Sequence, residues 1–159
     1  MKRRGEKEPS ADDVFGCGGS DRVGKVRKAA RVTTMETARL RLRAMTRDDA
    51  ETLSRIFLDP VAMRHYPSLI DHAGTGAWVD RTLANSERDG FGFWIVEHLA
   101  DGAFLGPCGL IPQRLGDVVE PEVACLLVRE HWGHGYATEA AHACRDWGFC
   151  HLGCRASFR

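Results

Sequence analysis

Hydrophobic and polar residues alternate along the chain at two spacings, one typical of strands and the other typical of helices. Leu40 and Leu42 are separated by arginines, and this alternation predicts a half-exposed strand. Ala50, Leu53 and Phe57 follow at the spacing of one helical face, which predicts a first helix. The pattern therefore indicates a mixed domain, in which strands and helices both contribute to the core.

Capping and breaking residues set the expected helix boundaries. Thr46-Arg47-Asp48-Asp49 fits a capping box, in which side-chain oxygens accept hydrogen bonds from the unpaired amides of a helix start. Asp59-Pro60 ends this first helix. A second helix is predicted from about Thr75 to Arg88, and Asp89-Gly90 ends it. The residues expected to face inward from the second helix are Trp78, Val79 and Leu83.

Three strands joined by tight turns are predicted after the second helix. The first runs from Phe91 to His98, the second from Ala103 to Ile111, and the third from Val118 to Val128. Asp101-Gly102 suits a hairpin turn because both central positions of the favoured turn require positive φ. Gly116-Asp117 predicts a second turn of this kind. Strands joined by hairpins are antiparallel neighbours.

A last helix is predicted from about Tyr136 to Cys150. Its small residues recur at the spacing of one helical face, which we expect to be buried. These residues are Ala137, Ala140, Ala141 and Cys144. Ala156 to Phe158 is expected to begin one more strand.

Composition narrows the functional classes. With 159 residues the chain is sized for one domain, and its 43% hydrophobic content is enough for a core. Lys and Arg total 22 and so do Asp and Glu, and this balance argues against nucleic-acid binding. The longest apolar run, Val123 to Val128, is too short to cross a membrane. No apolar stretch follows the basic start, so we expect a cytoplasmic protein with no membrane partner.

Residues 1–34 differ from the rest of the chain. They contain nine Lys or Arg and five Asp or Glu, whereas residues 35–159 contain thirteen Arg, no Lys and seventeen acids. We interpret 1–34 as a disordered basic tail, solvated rather than bound to a membrane or nucleic acid. The abrupt change leaves open that Met35 is the natural start of translation.

The six cysteines favour buried thiols over disulfides or a metal site. Cys144, Cys150 and Cys154 lie near two histidines, so a zinc site is the alternative interpretation. The sequence has no Cys-x-x-Cys pair, and His142 and Cys144 would face different sides of a helix. We therefore expect no metal.

The chemistry is concentrated where the third strand meets the last helix. An apolar strand runs into Gly133-His134-Gly135, and a helix follows. Glycines allow backbone amides to approach a ligand, and a helix start adds unpaired N–H groups with partial positive charge. Together they form an anion site suited to phosphate. The segment lacks the glycine patterns of a Walker loop and of a dinucleotide fingerprint. By itself a tight turn explains it about as well.

The wider segment resembles the acyl-CoA pyrophosphate loop of the GNAT N-acetyltransferase superfamily, in particular its ribosomal-protein alanine acetyltransferase (RimJ/RimL-like) branch. The family pattern Gln/Arg-x-x-Gly-x-Gly/Ala corresponds to Trp132–Ala137, with Trp132 replacing the usual Gln or Arg. Other segments are similar in the same order along residues 37–159. They are Thr37–Arg43, Asp59–Arg64, Gly92–Val96, Leu105-Gly106 and Cys108–Leu110.

This resemblance implies an α/β (α+β) fold with a mixed, mostly antiparallel central sheet flanked by helices. It also implies acetyl-CoA as cosubstrate, bound by the end of the third strand and by the loop that follows. The implied strand positions are Cys125, Leu126 and Leu127, and the implied loop positions are Gly133, His134, Gly135, Tyr136, Ala137 and Thr138. A backbone N–H near Leu126 or Leu127 would stabilise the developing oxyanion.

The implied acceptor is a primary amine, on a small molecule or a protein N-terminus, that attacks the thioester directly. A lysine-like amine is mostly protonated at neutral pH, so a base is required. Glu120 and Glu122 share one strand face, and Glu122 matches a Glu found in this branch. Solvated edge carboxylates are an equally good interpretation of both. His131 and His134 are alternative titrating groups.

Relatives in this branch continue through a further strand, a helix and a hairpin. We therefore interpret 35–159 as a GNAT domain that is incomplete at its C-terminus, and we expect the chain to be poorly folded or weakly active. The alternative function is a non-catalytic acyl-CoA-binding remnant or pseudoenzyme. A homodimer is left open.

Overall fold

The computed structural model describes residues 34–115 and 118–152. The strands are β1 (Thr34–Glu36), β2 (Leu40–Ala44), β3 (Phe93–His98), β4 (Phe104–Leu115) and β5 (Val118–Cys125). The α-helices are α1 (Asp49–Phe57), α2 (His72–Asp89) and α3 (Tyr136–Leu152), with a short 3-10 helix at Arg129–His131. Residues 1–33 of the tail expected at 1–34, the turn Gly116-Asp117 and the strand expected at 156–158 lie outside the described residues, whereas Thr34 begins β1.

The strands form one antiparallel sheet in the order β1-β2-β3-β4-β5. Leu42 lies opposite Val96 of β3, and Trp94 lies opposite Cys108 of β4. Cys108 is in turn opposite Cys125 of β5. The predicted mixed, mostly antiparallel fold is confirmed, because strands that follow one another along the chain pair as antiparallel neighbours, with α1 and α2 in the connection between β2 and β3.

Each face of the sheet carries a hydrophobic core. The first lies under α1 and α2, and its buried residues are Met45, Leu53, Ile56, Phe57, Met63, Ile70, Trp78, Val79, Phe93, Ile95, Leu126 and Val128. The second lies under α3, and its buried residues are Leu40, Leu42, Phe91, Trp94, Val96, Leu105, Cys108, Leu110, Leu127, Ala140, Cys144, Trp147 and Leu152. Alternation along the strands divides their side chains between the two cores.

The predicted strand around Leu40 is confirmed, but its N-terminal side differs from expectation. The chain turns at Thr37, whose N–H donates to the Leu40 carbonyl at 2.9 Å. The three residues before the turn form β1, which the sequence analysis did not predict. Such a short strand has too few residues for a visible period, so it depends on pairing with β2.

Helix α2 begins at His72, three residues before the predicted start. The Asp71 side chain accepts a hydrogen bond from the Gly74 amide at 2.7 Å and caps the helix. Helix α1 has only half of the predicted capping box. The Asp49 carboxylate accepts from the Thr46 amide at 2.7 Å, but the Thr46 hydroxyl donates to the same carboxylate instead of accepting from an amide.

The buried face of α3 is rotated from the predicted one. Ala140 and Cys144 are fully buried, as expected, but Ala137 is exposed and Ala141 is half-buried. The stripe is completed further along the helix by Trp147, Gly148 and Leu152. The prediction relied on small residues alone, whereas the wide surface under the helix is filled by an indole.

Candidate functional site

A cavity of about 780 Å³ lies where the end of β5 meets the start of α3. Its third wall is the segment between α1 and α2. The lining residues are Val61, Ala62, Arg64, His65, Tyr66, Cys125, Leu126, Leu127, His131, Trp132, Gly133, Gly135, Tyr136, Ala137 and Thr138. The cavity thus joins a strand edge, a glycine loop and a helix N-terminus.

Beyond Cys125 the chain stays extended against β4. The amides of Leu126 and Val128 donate to the carbonyls of Pro107 and Leu105 at 2.9 and 2.8 Å. In an antiparallel ladder alternate residues turn their polar groups to opposite sides, so the amides of Cys125 and Leu127 face away from β4. The described sheet ends at β5, and these two amides therefore point to its outer edge.

Gly106 is the residue of β4 that permits this close approach. Its φ is +142°, and an added Cβ would lie 2.0 Å from the Leu126 carbonyl oxygen. No other residue type fits this position without displacing the strand end. The geometry of the outer edge therefore depends on a glycine in the neighbouring strand.

The Trp132 side chain bridges the strand end and the loop. Its Nε1 donates to the Leu127 carbonyl at 2.8 Å, while the indole lines the cavity and is 39% exposed. This is the position where the resemblance expects Gln or Arg. The indole here fixes the loop to β5 and also forms part of the wall.

The glycine loop has the backbone expected of an anion site. Gly133 and Gly135 have φ of +79° and +78°, in the left-handed region that favours glycine. Helix α3 starts directly afterwards at Tyr136, and its first amides lie at the cavity. Unpaired amides and the positive end of the helix dipole attract anions there.

Glu139 in the first turn of α3 joins this loop to the β1–β2 turn. Its carboxylate accepts from the Arg39 amide at 2.9 Å and from Arg39 Nε at 2.7 Å. The Thr37 hydroxyl also donates to it. Burial alone would raise the pKa of Glu139, but the bonds from Thr37 and Arg39 outweigh burial and hold that pKa below its ordinary value.

The candidate bases lie on the β5 face that also carries Ala124. Glu122 is opposite Ile111, and Glu120 is opposite Gln113. Both carboxylates are exposed. Burial raises the pKa of Tyr66, and the nearby charge of Glu122 raises it further. The charge of Glu122 thus acts on Tyr66, which lines the cavity, while Glu120 is two residues further along the strand.

Most of the residues implied to bind the cosubstrate are brought together at the cavity. Those lining it are Cys125, Leu126, Leu127, Gly133, Gly135, Tyr136, Ala137 and Thr138. Within the described chain, the lining set does not include His134, Glu120 or Glu122. His134 Nδ1 instead lies 2.9 Å from the Trp132 carbonyl, and its ring stacks on Tyr136.

Sequence reasoning missed Arg39, Glu139 and Tyr66. Arg39 and Glu139 are 100 residues apart, and neither has a local signal beyond being charged. Glu139 does fall in the first turn of a predicted helix, where an acid is favoured. Tyr66 lies in a segment without periodicity, so nothing in the sequence linked it to β5.

The thiols lie mainly in the second core. Cys108 and Cys144 are fully buried, with sulfurs 3.8 Å apart. Hydrogen bonding with Cys125 and Cys144, together with burial, raises the pKa of Cys108 well above its ordinary value. Among residues 34–115 and 118–152, no group of His, Cys, Asp and Glu side chains is arranged to hold a metal ion.

Most of the chain matches one known protein family. Residues 39–158 match the model of the acetyltransferase (GNAT) domain. The chain belongs to the GNAT acetyltransferase family. Family membership implies acetyl transfer that depends on acyl-CoA, which agrees with an anion site placed beside an open strand edge.

Two individual proteins are similar to most of the chain. The chain is 42% identical over 118 residues to the uncharacterized protein YkkB of Bacillus subtilis, covering 74% of this chain and 69% of YkkB. A crystal structure of an acetyltransferase from Agrobacterium tumefaciens is 30% identical, with a TM-score of 0.66, covering 77% of this chain and 70% of that one.

The fold extends to the RimL-like branch of the GNAT family. RimL, a ribosomal L7/L12 alpha-N-protein acetyltransferase solved with coenzyme A, has a TM-score of 0.56 at 12% identity. The match covers 72% of this chain and 67% of RimL, and at this identity it shows the fold alone.

No helix within the described part of the chain has the length and apolarity needed to cross a membrane.

Proposed function

We propose that this protein is an N-acetyltransferase that moves an acetyl group from acetyl-CoA to a primary amine. The observation that carries the proposal is the cavity at which outward amides of β5 meet the glycine loop and the start of α3. An extended amide-containing chain that ends in a pyrophosphate needs these two features side by side. The free thiols of Cys108, Cys125, Cys144 and Cys150 support a reducing, cytoplasmic location.

The residues divide the binding of acetyl-CoA between them. The outward amide and carbonyl of Cys125 would pair with the pantetheine arm as a further strand would, whereas the Leu127 carbonyl already accepts from Trp132 Nε1 and its outward amide is left for the reacting carbonyl. The Leu126 amide already donates to Pro107, so of the two oxyanion donors expected we favour Leu127. The amides from Gly133 to Thr138 would hold the pyrophosphate. Acetyl-CoA itself supplies an acetyl group activated as a thioester.

Glu122 is our candidate for the base that removes a proton from the amine. Its charge acts on Tyr66, which lines the cavity, and its carboxylate is exposed, so a proton can leave through solvent. The amine acceptor is supported by the name of RimL, which acts on a protein N-terminus. Whether the acceptor is a protein or a small molecule depends on the wall formed by the α1–α2 segment.

The first test compares two glycines of similar backbone strain. Gly135 in the loop has φ of +78°, and Gly102 in the β3–β4 hairpin has φ of +71°. An added Cβ meets nothing within 4 Å at Gly102 and only the end of Arg39, at 3.6 Å, at Gly135. We expect Gly135→Ala and Gly102→Ala to lower the unfolding free energy similarly, by about 1 kcal/mol. Only Gly135→Ala should weaken CoA binding.

Titration calorimetry with CoA and thermal melts measure these two effects. A melting temperature that rises with CoA in the wild type and in Gly102→Ala, but less in Gly135→Ala, supports the proposal, because a ligand that binds the native state stabilises it. The proposal would be contradicted if the wild-type protein is folded but CoA changes neither its melting temperature nor its calorimetric signal.

A second test concerns the base. We expect Glu122→Gln to lower kcat for acetyl transfer to amines by about 100-fold, because general-base catalysis typically contributes that much. CoA affinity should not change. Glu120→Gln is the matched control on the same strand face, and kcat should stay within about threefold of the wild type. Equal kcat values for the two variants would remove Glu122 from this role. CoA binding without transfer to any amine would favour a non-catalytic acyl-CoA-binding protein.

A further inference from the structure

The guanidinium of Arg39 joins the Gly133–Gly135 loop to the first turn of α3. Its Nε and Nη2 both lie 2.7 Å from Glu139 Oε2, in the first turn of α3. Its Nη1 donates to the His134 carbonyl, between the two loop glycines, at 3.0 Å. Its Cζ lies 4.7 Å from the ring centre of Tyr136, the first residue of α3. One side chain thus contacts the loop, the helix start and the first helical turn.

The anchor of this side chain is rigid. The Arg39 amide donates to Glu139 Oε1 at 2.9 Å, so backbone and side chain bind the same carboxylate. The turn that carries Arg39 is closed by the Thr37 amide, which donates to the Leu40 carbonyl. Leu40 and Leu42 are fully buried immediately afterwards in β2. The loop is therefore attached to the turn that enters β2, a strand that is paired on both sides and contains buried leucines.

The loop requires such an attachment for a physical reason. Gly133 and Gly135 permit its shape but do not enforce it, since glycine also populates many other conformations. A loop that must be ordered upon binding loses affinity by the cost of that ordering. Glu139 also places a negative charge within one turn of the anion site, and the positive charge of Arg39 compensates it.

We propose that Arg39 is a positioning residue, which keeps the Gly133–Gly135 loop in its anion-binding shape through Glu139 and the His134 carbonyl. The proposal rests on the proposed function for its ligand, acetyl-CoA. Its contacts with the loop are independent of any ligand. Arg39 is not a catalytic residue, because its contacts are with the protein groups that form the site.

The chain offers a matched control two residues away. Arg41 binds Glu36 through one bond, Nε to Oε1 at 3.0 Å. The exposed fractions of the Arg side chains are similar, 45% for Arg39 and 49% for Arg41. The ion pair between Arg41 and Glu36 joins β2 to β1. Among the described residues, no hydrogen bond or ion pair links it to the Gly133–Gly135 loop. Loss of one surface arginine from the β1–β2 region is thus separable from loss of the loop attachment.

The test uses the full chain and the variants Arg39→Met, Arg39→Lys and Arg41→Met. Calorimetry measures CoA affinity, and amide hydrogen exchange of the ligand-free protein measures order in residues 133–138. We expect Arg39→Met to weaken CoA binding about tenfold or more and to speed exchange in the loop, with exchange in β3 unchanged. Arg41→Met should match the wild type in both.

Arg39→Lys separates positioning from simple charge attraction. Lysine keeps the positive charge, but it cannot contact Glu139 and the His134 carbonyl with the same planar fork. We expect it to lose most of the affinity that Arg39→Met loses. In turnover, the KM for acetyl-CoA should rise in both Arg39 variants, while kcat changes by less than about twofold.

The outcomes distinguish this inference from the proposed function. Wild-type binding of CoA with unchanged affinity in Arg39→Met would overturn the positioning role and leave the proposed function standing. Full affinity in Arg39→Lys would overturn it also, since charge alone would then suffice. If the wild type does not bind CoA, the proposed function fails. In that case hydrogen exchange still tests whether Arg39 holds the loop in shape. Unchanged loop exchange in Arg39→Met would contradict this role.

Discussion

At the scale of single residues, a charged network joins β2, β3 and α1. Arg43 donates to both Asp49 oxygens, at 2.6 and 2.9 Å, and its Nε donates to Glu97 at 2.6 Å. The bond to Asp49 raises the pKa of Arg43 despite burial. Burial would raise the pKa of Asp49, but hydrogen bonds from Arg43 and Thr46 outweigh it and lower that pKa. The pair is therefore charged in the folded protein.

This network gives a prediction at the same scale. Asp49→Asn should lower the unfolding free energy at neutral pH by about 2 kcal/mol, because it removes one of the two carboxylates that pair with a half-buried guanidinium and leaves only Glu97. The control is Asp80→Asn. Asp80 binds Arg47 at a comparable 2.6 Å, but their side chains are 58% and 80% exposed, so no measurable loss is expected. Urea titration measures both variants.

The pH dependence follows with a definite sign. The folded-state pKa of Asp49 lies below its ordinary 3.8, so its contribution is complete above that pH and is lost as the pH falls through the folded value. The unfolding free energy of Asp49→Asn should therefore fall less steeply with acid than that of the wild type. Parallel acid profiles would contradict the role of Asp49.

At the scale of elements, close approach between strands depends on glycine. An added Cβ at Gly109 of β4 would lie 2.2 Å from the Gly92 carbonyl oxygen and 2.5 Å from the Phe93 Cα. Both are backbone atoms, one in the first residue of β3 and one in the residue before it. Neither can move without shifting the strand. Gly76 in α2 presents the opposite case, since nothing lies within 4 Å of its added Cβ. The same substitution thus has opposite consequences in strand and helix.

We expect Gly109→Ala to lower the unfolding free energy by more than about 3 kcal/mol, because overpacking here acts on the backbone. Gly76→Ala should raise it by about 0.5–1 kcal/mol, since alanine restricts the unfolded chain and suits a helix interior. Chemical denaturation of both variants checks the signs. A stable Gly109→Ala protein would show that β3 and β4 can separate at no great cost.

At the scale of the whole molecule, one sheet supports two cores. Leu53 of α1 lies in the first core and Leu42 of β2 in the second, and both are fully buried. The strands contribute alternate residues to both cores. Loss of packing on one face therefore disturbs the strands that form the other, which is the basis of cooperative unfolding in small domains.

Leu53→Ala and Leu42→Ala should each lower the unfolding free energy by about 2–5 kcal/mol, the range for large-to-small changes in a core. Because the cores share their strands, we expect a single transition in each variant. Tryptophan fluorescence and circular dichroism should report the same midpoint, since Trp78 belongs to one core and Trp147 to the other. Separate midpoints would indicate two independent cores.

Local sequence patterns were enough to predict most of the elements and the glycine loop. Hydrophobic periodicity located the helices and hairpin strands, and Gly133 and Gly135 marked the loop that we propose binds the pyrophosphate, because these signals lie within a few residues of one another. The edges were less well predicted. Helix α2 began earlier than expected because Asp71 caps it, and β1 was missed because it is stabilised by β2 and not by its own pattern.

The combination of distant residues in the site follows from the way the chain folds. Arg39 meets Glu139 across 100 positions, and the charge of Glu122 acts on Tyr66 of the cavity wall. Pairing with β4 decided that the Leu126 amide is occupied while that of Leu127 faces outward. Such contacts depend on strand register and chain closure, which bring together residues without any shared local period. The loop could therefore be predicted from sequence, whereas the residues that hold it in shape could not.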